Sequence, residues 1–240
     1  MNINRMVLDL SHYDEVQDYH LVRASGIHGI IYKATQGSGF QDNTYWASRE
    51  RAMAAGLLWG SYHFGTAADL DKQVENYLTF AKPGYDELIC LDYEPNGSND
   101  TMGLPKAQAF IDAVEVELGR KNQCVIYSGN LIKETLPLTN KDAFWPAHRL
   151  WLAQYGTKPV WPSQWETFWL WQYTDGDFGP QPHTVQGIKG GIDCNSFNGT
   201  PEQLKASWSG ANLEQPEPPV VVPEIVIIAP EGVKVTVKQS

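Results

Sequence analysis

The stretch Ile89-Cys90-Leu91-Asp92-Tyr93-Glu94-Pro95 decides how this chain is read. It begins as the apolar run of a buried strand, yet two carboxylates two residues apart close it, directly before a proline. Strand side chains alternate, so Cys90, Asp92 and Glu94 share one face while Ile89, Leu91 and Tyr93 take the other. Pro95 disfavours helix at Glu94 and stops the strand there, leaving both acids at its C-terminal end. A barrel of parallel strands does its chemistry at that end.

Outward from this stretch, eight strand candidates recur, at residues 5–11, 29–35, 57–64, 87–94, 124–129, 149–155, 169–174 and 191–197. Their β-branched and aromatic content favours strand over helix. Helical patterns fall between the early ones, at 14–25, 44–55, 69–82 and 104–120, the last with Phe110, Ile111, Val114 and Leu118 at helical spacing. Alternation of this kind predicts a parallel sheet. After residue 124 the intervals turn rich in Pro, Trp, Gly and Asn, so the later crossovers are expected as loops or short helices. The expected fold is α/β: an irregular (β/α)8-like TIM barrel of eight parallel strands with fewer than eight helices. At 240 residues the chain is long enough for it.

The barrel is expected to end with a short helix from Pro201 to Trp208, giving a catalytic unit over residues 1–210. A proline-stiffened linker is expected over 211–223, around Glu214-Gln215-Pro216-Glu217-Pro218-Pro219. A strand-rich tail, hairpin-like, is expected over 224–240, from the runs Ile225 to Ile228 and Val233 to Val237. A lone hairpin is marginal in water, so this tail needs something to dock on.

The parity argument extends to the first and last strands, which are neighbours in a closed barrel. Val7, Asp9 and Ser11 share one face of the first, and Gly191, Asp193 and Asn195 one face of the last. Asp9, Asp92, Glu94 and Asp193 are therefore expected at one mouth, where burial and mutual repulsion raise at least one pKa. A carboxyl kept protonated at neutral pH is a general acid. A single acid of this kind more often caps a loop or pairs with a base such as Lys33; four at strand ends point to function. Two acids flanking a bond that needs leaving-group protonation are the usual equipment for glycoside hydrolysis. Six of the nine tryptophans lie between Trp145 and Trp171, a cluster more typical of packing than of sugar stacking, although Gln172 and Tyr173 follow it.

Other classes are disfavoured. A net charge of −10 without a run of lysines or arginines argues against nucleic-acid binding. Cys90, Cys124 and Cys194 lie in apolar runs without a CxxC pair and read as buried free thiols. The six histidines show no metal-ligand spacing, and His63, inside Tyr62-His63-Phe64, reads as a packed residue. Gly37-Ser38-Gly39 continues into Phe40-Gln41-Asp42 and completes no nucleotide fingerprint. No cofactor and no metal are expected. The opening residues reach Asp9 without the apolar core of a signal peptide, and no run suits a membrane span. The chain is expected to be made in the cytoplasm without membrane insertion.

Several ordered blocks resemble the glycoside hydrolase family 25 muramidases, the lysozymes of Chalaropsis type. Val7-Leu8-Asp9-Leu10-Ser11 looks like that family's opening strand, and Ile31-Tyr32-Lys33-Ala34-Thr35-Gln36-Gly37 like its second. Ala55 to Phe64 looks like the third, and Leu91-Asp92-Tyr93-Glu94 like its Asp-x-Glu. Trp151-Leu152-Ala153-Gln154-Tyr155, Trp171-Gln172-Tyr173 and Gly191-Ile192-Asp193-Cys194-Asn195 follow in order. His12-Tyr13 stands where the family often has another aromatic or Gln, and the terminal hairpin has no counterpart.

The resemblance, over roughly residues 5–208, implies cleavage of the β-1,4 bond between N-acetylmuramic acid and N-acetylglucosamine in bacterial peptidoglycan. It implies Glu94 as general acid and base with Asp92 as its partner, in an acidic pocket shared with Asp9 and Asp193. Tyr62, Phe64, Tyr127, Trp151, Gln172 and Lys33 are the implied substrate contacts. Retention is implied, with Asp92 either attacking the anomeric carbon or orienting the substrate's own acetamido group, the second being favoured. The lack of a signal-peptide core suits a phage endolysin that reaches the wall through a separately made holin-type membrane hole, and it suits a bacterial protein exported another way equally. A chitinase-like barrel remains the enzymatic alternative, although Cys90 stands where such enzymes carry a further Asp, and a non-catalytic carbohydrate-binding barrel remains the other.

Overall fold

The computed structural model describes residues 3–97, 99–136 and 143–211. From residue 212 onward the expected linker and tail lie outside the described residues.

Eight strands close a barrel: β1 (Arg5–Leu10), β2 (Gly29–Gln36), β4 (Leu58–Phe64), β5 (Leu88–Asp92), β6 (Val125–Ser128), β7 (Arg149–Ala153), β8 (Leu170–Asp175) and β9 (Asp193–Phe197). A two-residue β3 (Phe40–Gln41) folds back on the end of β2. The order β1-β9-β8-β7-β6-β5-β4-β2 closes through a parallel pairing of β2 with β1. All eight expected strands are present, within a few residues of the expected bounds.

One expectation fails. The strands are not all parallel, because β9 runs antiparallel to both β8 and β1. A parallel crossover needs a segment that travels back down the barrel, usually a helix. Residues 176–192 carry no helical periodicity and form no helix. Gly176 takes φ +88, and a Cβ built on it would lie 2.5 Å from the backbone nitrogen of Ile192, so the outgoing and returning chains can lie side by side. The loop thus works as a long hairpin, with Asp175 opposite Asp193.

Seven helices lie among the described residues: α1 (Tyr19–Ala24), α2 (Tyr45–Ala54), α3 (Leu70–Ala81), α4 (Leu104–Leu118), α5 (Asn130–Thr135), α6 (Phe144–Ala147) and α7 (Pro201–Ser207). The first is shorter than the expected 14–25. Asp14 turns its carboxylate back to the Ser11 N–H at 2.7 Å, Val16 bridges to Ile188, and only Asp18, accepting from the N–H groups of His20 and Leu21, caps a helix. The degraded second half is as expected: α5 and α6 have six and four residues.

The alternation read from sequence sorts the core into two layers. Val7, Ile31, Leu88, Cys90, Val125, Tyr127, Trp151 and Leu170 fill the barrel, whereas Leu8, Ile30, Ile89, Leu91, Ile126, Leu152 and Trp171 pack outward. Trp145, Trp165 and Trp171 belong to the outer layer, so most of the tryptophan cluster is packing. The bottom is plugged by α7 through Leu204 and Trp208. The Trp208 ring lies so close to Gly29 that a Cβ there would sit 2.5 Å away, and its indole N–H donates to the Trp59 carbonyl at 2.7 Å. The three cysteines are buried free thiols, and no helix among the described residues is long and apolar enough to cross a membrane.

Candidate active site

Parity and strand direction together build the mouth. Asp9 lies one residue before the end of β1, Asp92 closes β5, and Glu94 follows two residues later. Asp193 opens β9, and here the reversed strand matters: in a parallel β9 its first residue would sit at the bottom. Because β9 runs downward, Asp193 comes to the same end as the other three. Asp9, Asp92, Glu94 and Asp193, with Tyr62, Tyr127 and Trp151, line one pocket of about 90 Å3.

Asp9 is the best-held acid. Its Oδ1 accepts from the Asn195 amide at 2.7 Å and its Oδ2 from the Gln172 amide at 2.8 Å. Burial raises its pKa to about 6, with those two donors pulling the other way. Asp193 has no such support. Burial first, then the charge of Asp9, push it up to about 9, and its carboxyl shares a hydrogen bond with Asp9. Gln172 reaches Asp193 only at 3.3 Å.

Asp92 and Glu94 form a second carboxyl pair. Burial and then the charge of Asp9 raise Glu94 to about 7. Burial and then the charge of Glu94 raise Asp92 well above the carboxylate range, against the pull of Lys33. The pair therefore retains a proton at neutral pH. Asp92 Oδ1 is buried without a hydrogen-bond partner, an acceptor aimed at nothing in the protein.

Of the other sequence-derived candidates, Tyr62 lines the same pocket as Asp92, and burial followed by that carboxylate's charge raises its phenol well above the ordinary range. Lys33 donates to Gln36 at 2.7 Å and lies 5.3 and 5.2 Å from the ring centroids of Phe40 and Phe64. It is half-buried, which lowers its pKa, while Asp92 is the first of the acids that oppose the shift. Gln172 and Trp151 are almost wholly buried, at 1% each. Gln172 accepts from the Tyr127 hydroxyl at 2.9 Å, and the Trp151 indole N–H donates to Asn195 at 2.6 Å. His63 is buried away from the pocket against Phe110 and bonded to Thr35, and burial lowers it to about 4.

Sequence reasoning placed Asn195 on the right face but gave it no task; its spacing of two from Asp193 was the available signal. Phe40 and Tyr155 were missed. Phe40 rides on the β2–β3 turn, and Tyr155 has its phenol raised by burial and then by the nearby Asp193. On the rim, His12 is pinned to Asp42 through its backbone N–H at 2.9 Å and its ring Nδ1 at 2.8 Å. Tyr13 packs on the His12 ring and is 83% exposed.

A carboxyl pair retaining a proton, a buried acceptor without a donor and a fixed anion beside them can protonate a leaving group and steady positive charge. Comparison with known proteins points the same way. The family model for glycosyl hydrolases family 25 matches residues 8–179. An autolytic lysozyme of Clostridium acetobutylicum is 29% identical over 184 residues, 75% of this chain and 52% of that one. The chain thus spans about half of that relative's length. Lysozyme M1 of Streptomyces globisporus is 25% identical over 217 residues, 83% of this chain and 69% of that one. The crystal structure of a bacterial lysozyme from Streptomyces coelicolor superposes with a TM-score of 0.73 at 23% identity, covering 87% of this chain and 98% of that one.

Proposed function

The chain belongs to glycosyl hydrolase family 25, and from that premise we propose that it is a muramidase, hydrolysing the β-1,4 bond between N-acetylmuramic acid and N-acetylglucosamine in bacterial peptidoglycan. The observation that carries the reading is the meeting of a proton-retaining Asp92/Glu94 pair with the unpartnered Asp92 Oδ1 at one pocket.

The 2-acetamido N–H of the sugar supplies the donor that Asp92 Oδ1 lacks. That bond favours ionised Asp92 and leaves the shared proton on Glu94. The acetamido carbonyl oxygen then attacks the anomeric carbon as the glycosidic C–O bond breaks, and the Glu94 proton passes to the departing oxygen. The oxazolinium so formed is opened by water from the opposite side. Glu94, now a carboxylate, takes that water's proton, and two inversions give net retention. Tyr62, Tyr127 and Trp151 bound the pocket, while Lys33, Phe40 and Phe64 form a cationic and aromatic wall for the adjoining sugar or its peptide.

Peptidoglycan fragments released by wild type and Glu94→Gln test this, with borohydride reduction and mass spectrometry to identify new ends. Muramic acid ends that vanish in the variant support the reading. Glucosamine ends would assign a different bond, as in a chitinase-like enzyme, and no release would indicate a binding barrel.

A further inference from the structure

Gln172 and Asn195 carry a role the proposed chemistry does not use. Each is a buried primary amide whose nitrogen faces Asp9 and whose oxygen is already taken. Asn195 accepts from the Trp151 indole N–H at 2.6 Å and donates to Asp9 Oδ1 at 2.7 Å. Gln172 accepts from the Tyr127 hydroxyl at 2.9 Å and donates to Asp9 Oδ2 at 2.8 Å. An amide can flip when its two ends are equivalent to their surroundings, and here they are not. A flipped Asn195 would turn its oxygen to a carboxylate and its NH2 to an indole N–H. A flipped Gln172 would likewise set its oxygen against the acid. An indole N–H can only donate, so Trp151 fixes the orientation of Asn195 outright.

We propose that Asn195 and Gln172, locked by Trp151 and Tyr127, are positioning residues that clamp Asp9 and favour its ionised form at neutral pH, and that this anion keeps the general acid protonated. The inference rests on the muramidase reading for its kinetic consequence but not for its electrostatic one. The groups facing Asp9 are Asp193 on β9, Asp92 and Glu94 at the end of β5, and Asp14 in the loop after β1, with Lys33 on β2 the nearby cation. Tyr62 on β4, Tyr127 on β6, Tyr155 after β7 and Cys194 on β9 also feel its charge. Without the amides, Asp9 keeps only its shared hydrogen bond with Asp193 and takes up a proton more readily. Its repulsion of Glu94 then disappears, and Glu94 ionises at lower pH.

The test is a carbon-13 carboxyl titration of the full chain in wild type, Asn195→Leu and Gln172→Leu, beside pH profiles of kcat on soluble peptidoglycan fragments. The clamp predicts that in both variants Asp9 titrates at higher pH and Glu94 at lower pH, each by about one unit or more. It predicts that the alkaline limb of kcat moves to lower pH with KM changed by less than about threefold. Asp9→Asn should move Glu94 and the limb the same way, and adding Asn195→Leu to it should move neither further. An unchanged Asp9 titration in folded variants overturns the clamp, as does a lower melting temperature with the limb in place, which is what a merely structural role gives. The titration needs no substrate, so a wild-type protein inactive on peptidoglycan would sink the muramidase reading and leave the clamp measurable. Should the leucine variants not fold, Tyr127→Phe removes only the hydroxyl that orients Gln172. It is expected to raise Asp9 in the same direction, and no shift there counts against the proposal.

Discussion

The two ends of the barrel treat charge in opposite ways. At the bottom, the buried guanidinium of Arg149 donates to the Ser207, Trp208 and Gln123 carbonyls. Arg49 pairs with Glu87, and Arg120 donates to the carbonyls of Glu87 and Gly84. Glu115 accepts from three consecutive N–H groups, of Asn122, Gln123 and Cys124, at 2.7 to 2.8 Å. Burial alone would raise Glu115, but the His148 ring and these donors hold it below the usual range. At the mouth, four carboxyls meet with a single lysine beside them. The bottom spends its charges on holding chain segments together. The mouth crowds acids together with little cationic compensation, which costs stability and shifts pKa values to where proton transfer needs them.

Substitutions at the two ends should therefore separate activity from stability. The largest effect is expected from Glu94→Gln, which removes the acid at constant shape: turnover on soluble fragments should fall by at least about a thousandfold without a lower melting temperature. Turnover within about threefold of wild type would end the assignment of Glu94. At the opposite end, Arg149→Ala strands three carbonyls and should cost about 3 kcal/mol, a fall of roughly 6–12 °C in thermal melting. The kcat of its folded fraction should stay within about twofold, because the change is a barrel's height away from the acids.

The pH dependence sharpens the contrast. Glu94 at about 7 predicts that activity falls as pH rises through about 7. Asp9, Glu94 and Asp193 are all raised in the folded state, to about 6, 7 and 9. Between the ordinary carboxylate range and those values the folded chain binds more protons than the unfolded one, so stability falls as pH rises across that window. Urea unfolding at pH 5 and pH 9 reads this directly, and equal or greater stability at pH 9 would contradict it. Asp193→Asn removes one source of the loss and should stabilise by about 1 kcal/mol at pH 8 while lowering kcat. The smallest effect is expected at the rim, where Tyr13→Ala should leave melting unchanged and alter KM by less than about threefold.

Much of this was legible beforehand, for a physical reason. Alternation along a strand is a local property, so Asp92 and Glu94 could be put on the lumenal face without knowing the neighbours of β5. The same holds for Val7 and Asp9 in β1, and Pro95 marks the strand end by its own sterics. The helix 104–120 and the loss of regular helices after residue 124 were equally local. The short α1 was misjudged because Asp14 turns back to Ser11 and Val16 bridges to the distant Ile188, and periodicity registers neither.

The sequence by itself determined which residues form strands, which face each acid occupies and which family the chain resembles, because each depends on neighbours along the chain. Tertiary structure decided the direction of β9, which brings Asp193 to the mouth through the glycine-bearing loop 176–192. It also decided the pairing of acids and the fixed orientation of the Asn195 and Gln172 amides. Those depend on which donors and charges meet across the barrel, at separations of up to 186 residues between Asp9 and Asn195, and no local pattern encodes such a meeting.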